Sequence, residues 1–241
     1  MIANPRSNYI LAGLPPDAYA RLLPRLEQVS LALGETVYTA DTELRHMYFP
    51  IDCIVSLLAV MKDGVSAEIS VVGREGIIGI GLFMGGTGAP NHAVVQNAGT
   101  ALRLKAELVR AEFAKGGSLQ LLLLRYTQAL MTQMAQTAAC NLHHSLEQQL
   151  CRWVLLSLDR LPTNELAMTD QLVANMLGTR LEYALDLATR LQFARLIHYD
   201  HGSITVLDRV GLESLVCECY DVVKTEYARL QPLRGNAGTH R

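Results

Sequence analysis

The segment from residue 34 to residue 104 alternates short apolar runs with turn signals, and this pattern restricts the fold more than any other feature of the chain. Residues 54–60 and 67–72 are two of the apolar runs. Stretches rich in Gly, Asp and charged residues separate them, such as residues 62–64 and 73–76. Many short strands at close spacing are typical of an all-β barrel or roll. We therefore predict a β-roll here.

A continuous apolar stripe follows the predicted roll. Its residues recur every three or four positions, which is helical spacing: Leu119, Leu123, Tyr126, Leu130, Met134, Ala138 and Leu142. The stripe could pack on its own roll or form a seam shared with a second copy of the chain. A helix of about 25 residues is ~37 Å long, which exceeds what one small domain covers. We therefore favour a dimerisation helix over residues 118–145.

Helical spacing also marks the start of the chain. Residues 15–33 begin with Pro15-Pro16 and continue with regularly spaced leucines, which predicts a helix. Pro24 lies inside this segment and is expected to kink or split the helix.

The C-terminal part has the order helix, turn, helix, hairpin. Thr169 can cap a short helix that ends at residue 177, Gly178 supplies the turn, and a second helix spans about residues 179–194. Residues 196–206 then read as a β-hairpin. This order is a winged helix-turn-helix. The predicted fold is α+β, with a β-roll at 1–117, the dimerisation helix at 118–145 and the winged helix-turn-helix at 146–241.

Composition limits the function classes. No apolar run approaches the ~20 residues of a membrane helix, and the N-terminus has no apolar signal core, so we expect a cytoplasmic protein without a membrane partner. We find no nucleophile elbow and no His-Glu-x-x-His motif, so we do not expect an enzyme. An odd number of cysteines argues against a disulfide framework. The five are Cys53, Cys140, Cys151, Cys217 and Cys219. Only one residue separates Cys217 from Cys219, one fewer than in a Cys-x-x-Cys pair, so we interpret these two as ordinary thiols in a C-terminal helix and expect no metal site.

The charge balance is unusual for a nucleic-acid binder. The net charge is -2, and from residue 161 onward there are eight basic and ten acidic side chains. A DNA-binding domain is usually basic. The charge balance from residue 161 onward therefore counts against tight binding to DNA.

Four segments together resemble the Crp/Fnr family of bacterial transcription regulators. Tyr48-Phe49-Pro50 with residues 54–58, and residues 72–79, are similar to its cyclic-nucleotide-binding-like β-roll, a double-stranded β-helix. Residues 168–178 are similar to the first helix and turn of its DNA-binding domain. Residues 195–204 resemble the wing, although Arg195 stands where a Gly is common.

The resemblance implies an effector pocket in the roll. Family members that bind cyclic AMP carry a Glu and an Arg-Ser or Arg-Thr pair there; this chain has Ile80 and Asn91-His92 at these positions. Neither Asn nor His carries a permanent positive charge for a phosphate, so control by cyclic AMP is not expected. No Cys precedes Cys53, which argues against the family's iron–sulfur cluster. The histidines show no haem pattern, and His143 and His144 read as a solvated pair. We expect no cofactor, and the effector is unknown.

The resemblance also places the DNA contacts. Two family arginines of the recognition helix fall on Leu181 and Asp186 here, whereas Glu182 matches. We expect Leu181 and Leu185 to be exposed and Ala184, Leu187, Ala188 and Leu191 to face inward. The alternative is that this helix is rotated and both exposed leucines belong to the core. The predicted DNA-binding residues are Thr169, Gln171, Thr179, Arg180, Glu182, Tyr183, Thr189, His201 and Ser203.

Two hypotheses follow. The first is an effector-modulated homodimer that binds a near-palindromic DNA site, with RNA polymerase as a further partner. The second is a Crp/Fnr-like protein with weakened DNA binding, which contacts a protein through the Leu181–Leu185 face or is held shut until an effector arrives.

Overall fold

The computed structural model describes residues 3–230, apart from residues 87, 162 and 201. The N-terminal part contains two short helices and seven strands. They are α1 (Tyr9–Ala12), α2 (Pro16–Leu22), β1 (Glu27–Leu31), β2 (Thr36–Tyr38), β3 (His46–Pro50), β4 (Ile54–Val60), β5 (Ser66–Val72), β6 (His92–Asn97) and β7 (Gly99–Lys105).

The seven strands form two antiparallel sheets that face each other across a shared core. One sheet has the order β1-β7-β3 and the other β2-β6-β4-β5. Apolar side chains from both sheets are fully buried between them, including Phe49, Ile54 and Leu104. The predicted β-roll is confirmed.

The expectation of a helix over residues 15–33 was wrong in its second half. Helix α2 ends at Leu22, a 3-10 turn spans Leu23–Arg25, and the chain continues as β1. Pro24 lies in that turn, where its ring and missing N–H cannot continue an α-helix. The residues beyond it then pair with β7, with Val29 opposite Ala101.

Helices and a small sheet make up the remainder. They are α3 (Ala106–Ala114), α4 (Ser118–His143), α5 (Leu146–Leu158), β8 (Glu165–Ala167), α6 (Asp170–Leu177), α7 (Leu181–Phe193), β9 (Ile197–Asp200), β10 (Ser203–Val206), α8 (Arg209–Leu215) and α9 (Cys219–Ala228). Strands β8, β10 and β9 form an antiparallel sheet in that order. The predicted winged helix-turn-helix is confirmed. Among the residues described, no helix is both long enough and apolar enough to cross a bilayer.

The interpretation of the apolar stripe on α4 as a dimer seam was wrong. Its first residues are buried within their own chain: Leu119, Leu123, Tyr126 and Leu130 are at most 2% exposed, and Met134 packs against the same core. The last two residues of the stripe, Ala138 and Leu142, are exposed. The Tyr126 hydroxyl donates a hydrogen bond to the carbonyl of Ile77 at 2.9 Å. The Tyr126 ring lies against Gly76, where a β-carbon would collide with it. The stripe therefore fastens α4 to the roll.

A second face of α4 remains uncovered. Leu121, Leu124 and Met131 are between 47% and 58% exposed, and Leu142 is 77% exposed. Gln128 is also exposed and lies between Leu124 and Met131 on the same face. The spacing of three or four residues from Leu121 to Met131 follows the helical repeat, so these side chains share one face of α4.

Candidate nucleic-acid interface

Local sequence signals account for the two helices of the helix-turn-helix. The Thr169 hydroxyl accepts a hydrogen bond from the backbone N–H of Leu172 at 3.3 Å and so caps α6. Gly178 has φ = +58°, a conformation that favours glycine, and it turns the chain between α6 and α7. Both features match their predictions.

The orientation of α7 also matches its prediction. Ala184, Leu187, Ala188 and Leu191 are buried. The opposite face is open: Tyr183 is 58% exposed, Leu181 is 38% exposed and Leu185 is half-buried. The outward surface of the candidate recognition helix is therefore partly apolar.

The structure places the predicted DNA contacts around this helix. Thr169 is exposed directly before α6, Gln171 is exposed on α6, and Arg180 is exposed at the residue before α7. Glu182, Tyr183 and Thr189 are exposed on α7, whereas Thr179 and Ser203 are half-buried. His201 lies outside the described residues. Their contact with DNA stays a prediction.

Carboxylates dominate the charge of this surface. Arg190 forms an ion pair with Asp186 on the next turn of α7, and this partner raises the pKa of the guanidinium. The carboxylate of Glu182 is also exposed. Asp170 on α6 accepts a hydrogen bond from the Tyr199 hydroxyl of the wing. Arg180 is thus the basic side chain best placed for a phosphate at the start of α7.

The wing begins with a strained residue. Arg195 has φ = +61° directly after α7, and its side chain is exposed. An L-residue in the left-handed region costs about 1–2 kcal/mol relative to the right-handed region. The position where the family commonly has glycine does require the left-handed conformation in this chain.

The winged helix-turn-helix packs on the roll of its own chain. Helix α5 is buried from Gln149 to Leu158, and α6 lies against β5. The Trp153 indole N–H donates to the Glu68 carboxyl at 2.8 Å. The backbone N–H of Ala167 donates to the Asn97 side chain at 3.4 Å. One continuous apolar core therefore includes residues of both parts.

The predicted effector residues lie on the roll. Ile80 begins a 3-10 turn after Gly79, whose φ is +104°, and it is half-buried. Asn91 is buried, and its side-chain oxygen accepts a hydrogen bond from the Tyr38 hydroxyl at 3.2 Å. His92 is the half-buried first residue of β6, opposite Leu58. The side-chain oxygen of Asn91 therefore already has a hydrogen-bond partner inside the roll.

Sequence reasoning missed a cavity of about 300 Å³ between the roll and the C-terminal helices. Its lining includes Tyr9, Arg74, Arg160, Lys224 and Tyr227. The Arg160 guanidinium is buried and bonds the Glu75 carboxylate at 2.7 Å. Within the described part of the chain, the buried Nε of Arg74 has no hydrogen-bond partner. The lining comes from four distant segments, which no local pattern connects.

Sequence reasoning also missed a cluster of sulfur and nitrogen atoms at the end of α4. One donor atom each from Cys140, His144, Cys217 and Cys219 lies within 4.8 Å of the other three. We expected ordinary thiols at Cys217 and Cys219, which stays a prediction, and a solvated His144, which is instead half-buried beside the buried cysteines. The local signals were two spacings, Cys-x-x-x-His and Cys-x-Cys, which only the fold brings together.

Comparison with known proteins adds a fold relationship. No protein-family model matches the sequence, and no curated protein does. Solved structures do match. The structure of FixK2 from Bradyrhizobium japonicum superposes with a TM-score of 0.69 at 14% identity, over 80% of this chain and 98% of that one.

Two further structures have the same architecture. One is a Crp/Fnr-family transcriptional regulator from Eubacterium rectale, with a TM-score of 0.65, 15% identity and coverage of 86% and 98%. The other is the c-di-GMP responsive global regulator CLP from Xanthomonas campestris, with a TM-score of 0.61, 16% identity and coverage of 80% and 99%. The chain therefore has the fold of Crp/Fnr regulators, as the resemblance implied.

Proposed function

We propose that this protein is a Crp/Fnr-type transcription regulator that binds DNA as a homodimer through α7 and its wing. The observation that carries the proposal is the winged helix-turn-helix whose second helix presents a complete face to solvent. Such a helix enters the major groove in proteins with this motif. The fold shared with solved regulators supports the same conclusion.

The exposed face of α7 carries little positive charge, which limits non-specific binding to DNA phosphates. Arg190 is neutralised by Asp186, which leaves Arg180 at the start of α7 as the principal phosphate contact. Each phosphate contact contributes about one unit to the dependence of log affinity on log salt. We therefore propose weak non-specific binding, with specificity from Glu182 and neighbouring polar side chains.

We further propose that the described conformation is a closed state released by an effector. The winged helix-turn-helix shares its core with the roll through α5, so its position depends on the roll. A ligand in the cavity between Arg74, Arg160 and Lys224 would contact both parts. Only a ligand that prefers one arrangement over the other shifts the equilibrium between them.

Fragmented genomic DNA incubated with the purified protein at two salt concentrations tests the proposal. We expect enrichment of a near-palindrome that is lost at the higher salt concentration. In the Arg180→Ala variant the slope of log DNA affinity against log salt concentration should fall by about one unit. Arg229 is exposed directly after α9, away from α7, and Arg229→Ala should leave this slope unchanged. Absence of any enriched sequence from the wild-type chain would contradict the proposal.

The second candidate function is a protein contact made by the same face. Leu181 and Tyr183 are exposed apolar side chains beside two carboxylates, and this combination suits a protein partner better than a polyanion. Leu181→Glu should then abolish binding of that partner. If Leu181→Glu instead weakens only the enriched DNA site, the regulator proposal stands.

A further inference from the structure

Four potential metal ligands meet where the long helix ends. Cys140 and His144 lie one turn apart at the C-terminal end of α4, Cys217 lies between α8 and α9, and Cys219 is the first residue of α9. All three cysteines are at most 3% exposed. We propose that Cys140, His144, Cys217 and Cys219 bind one Zn²⁺ ion, which joins the end of α4 to the start of α9.

The distances match those of a tetrahedral zinc site. Zn–S bonds of about 2.3 Å and a Zn–N bond of about 2.0–2.1 Å place two sulfurs about 3.8 Å apart, and sulfur and nitrogen about 3.6 Å apart. The Sγ atoms of Cys140 and Cys217 are 3.6 Å apart. The Sγ of Cys219 and the Nδ1 of His144 are also 3.6 Å apart. Three thiolates and one imidazole are a common ligand set of structural zinc.

The other nitrogen of His144 has the partner that a metal-bound histidine needs. Its Nε2 lies 3.4 Å from the Glu218 carboxylate. A histidine that ligates a metal through one nitrogen usually donates its other N–H to a carboxylate or carbonyl, which orients the ring and increases the basicity of the ligand. Glu218 stands between the two cysteine ligands in sequence and so reaches the ring from the same turn.

The helix end is also held in place for the site. The carbonyl of Cys140 accepts hydrogen bonds from the backbone N–H of His144 at 3.0 Å and from the Gln149 side chain at 3.3 Å. The same Gln149 amide donates to the carbonyl of His144 at 3.0 Å. Buried Gln149 therefore fixes both α4 ligands before any ion binds.

A bound cation would also supply the charge that three buried thiolates need. Burial and the neighbouring sulfurs raise the pKa of Cys219 to about 12, and burial raises the pKa of Cys140. A buried thiol is a weak hydrogen-bond donor and its sulfur a weak acceptor, so the cluster gains little from hydrogen bonds alone. A bound Zn²⁺ deprotonates its cysteine ligands because its charge outweighs the cost of burial.

The geometry favours a single ion over other sulfur chemistry. All four donor atoms lie within 4.8 Å of one another, so they suit one metal centre. A disulfide requires S–S bonding at about 2.05 Å, and joining Cys140 to Cys217 would leave Cys219 and His144 without a shared role. Soft thiolate ligands with imidazole select zinc over magnesium or calcium.

The site ties the C-terminal helix to the long helix. From Cys219, α9 runs back along α4 until the Tyr227 ring lies 6.4 Å from the Tyr126 ring. The ligands on α4 directly precede Ser145, where α5 begins. The ion therefore restrains both the position of α9 and the junction between α4 and the winged helix-turn-helix. This inference does not depend on DNA binding.

Metal analysis of the full-length chain, purified under reducing conditions without chelators, tests the proposal. We expect one equivalent of zinc per chain, and the thiolate-to-metal absorption of tetrahedral cobalt when Co²⁺ replaces it. Cys217→Ser should lose the metal. Cys53→Ala and Cys151→Ala remove buried cysteines outside the cluster and should keep it.

A milder variant separates metal binding from folding. Glu218→Gln retains all four ligands and should weaken zinc binding by about 10-fold to 100-fold in competition with a chromophoric chelator. Asp221→Asn makes the same change of charge at an exposed position one turn along α9 and should leave the affinity unchanged. The proposal is overturned if the reduced wild-type chain binds Co²⁺ no more tightly than Cys217→Ser, or if Cys140 and Cys217 are recovered from cells as a disulfide.

Discussion

Arg195 illustrates how one residue can be unfavourable locally and still be tolerated by the fold. Its φ of +61° lies in the left-handed region, and its side chain is exposed. Arg195→Gly should stabilise the protein by about 0.5–1 kcal/mol, since the strain removed exceeds the added flexibility of the unfolded chain. Urea unfolding measures the difference. Arg195→Ala removes the charge but keeps the strain and should unfold like the wild-type chain.

Glu68 is a buried carboxyl that shares the single hydrogen of the Ser56 hydroxyl with a second acceptor, Gln96. The Ser56 hydroxyl lies 2.6 Å from the Glu68 carboxyl and 3.0 Å from the side-chain oxygen of Gln96, but it has a single hydrogen to donate. If Glu68 is protonated, it donates to Ser56 and Ser56 donates to Gln96. Burial raises the pKa of Glu68 from 4.5 to about 7, although hydrogen bonds and the fields of Arg152 and Arg160 oppose the shift.

This pKa makes stability depend on pH in a defined direction. The folded chain binds the Glu68 proton more tightly than the unfolded chain, so the stabilisation is complete below about pH 4.5 and is lost as the pH rises through about 7. The loss is on the order of 3 kcal/mol. Glu68→Gln keeps the hydrogen bonds of Ser56 and Trp153 without a titrating group. The free energy of unfolding of this variant should therefore fall less between about pH 5 and pH 8; an identical slope in both chains would refute the assignment.

At the scale of elements, α4 has two faces with different functions. One face is buried on the roll, and the other presents Leu121, Leu124 and Met131 to solvent. If the protein is a dimer, as we propose, the exposed face is the surface through which α4 meets its partner.

A charge on that face should break the dimer without unfolding the chain. Met131→Glu places a carboxylate where two copies would meet, and analytical ultracentrifugation should record monomers at concentrations where the wild-type chain is dimeric. Tyr126→Phe, on the buried face, removes the hydrogen bond to Ile77 and should cost about 1 kcal/mol of stability without changing the oligomeric state. A dimer that persists in Met131→Glu would place the interface elsewhere.

At the scale of the whole molecule, the roll and the winged helix-turn-helix share one core through α5. Leu155 is fully buried in this helix, and Trp153, the one tryptophan of the sequence, reports on the same junction. Truncation of a buried leucine costs about 2–5 kcal/mol. Leu155→Ala should therefore lower the stability of both parts together, and the midpoints from tryptophan fluorescence and far-ultraviolet circular dichroism should coincide. Two separate transitions in the wild-type chain would show that the parts unfold independently.

Periodicity and turn chemistry in the sequence determined the elements and the faces they bury. The inward stripe of α7, the Thr169 cap, the Gly178 turn and the β-roll were predictable because each depends on residues close together in the chain. Periodicity identifies an apolar face but does not say what covers it, so the stripe at Leu119–Met134 was assigned to a second copy when the roll of the same chain covers it.

Only the tertiary structure decided which distant residues meet. The cysteines at positions 140 and 217 are 77 residues apart in sequence, and their separation of 3.6 Å exists because α9 folds back along α4. Arg74 and Lys224 are likewise far apart in sequence, and only the fold brings both to the lining of the cavity. Local preferences act over a few residues, whereas the packing that brings these side chains together depends on the burial of the entire core.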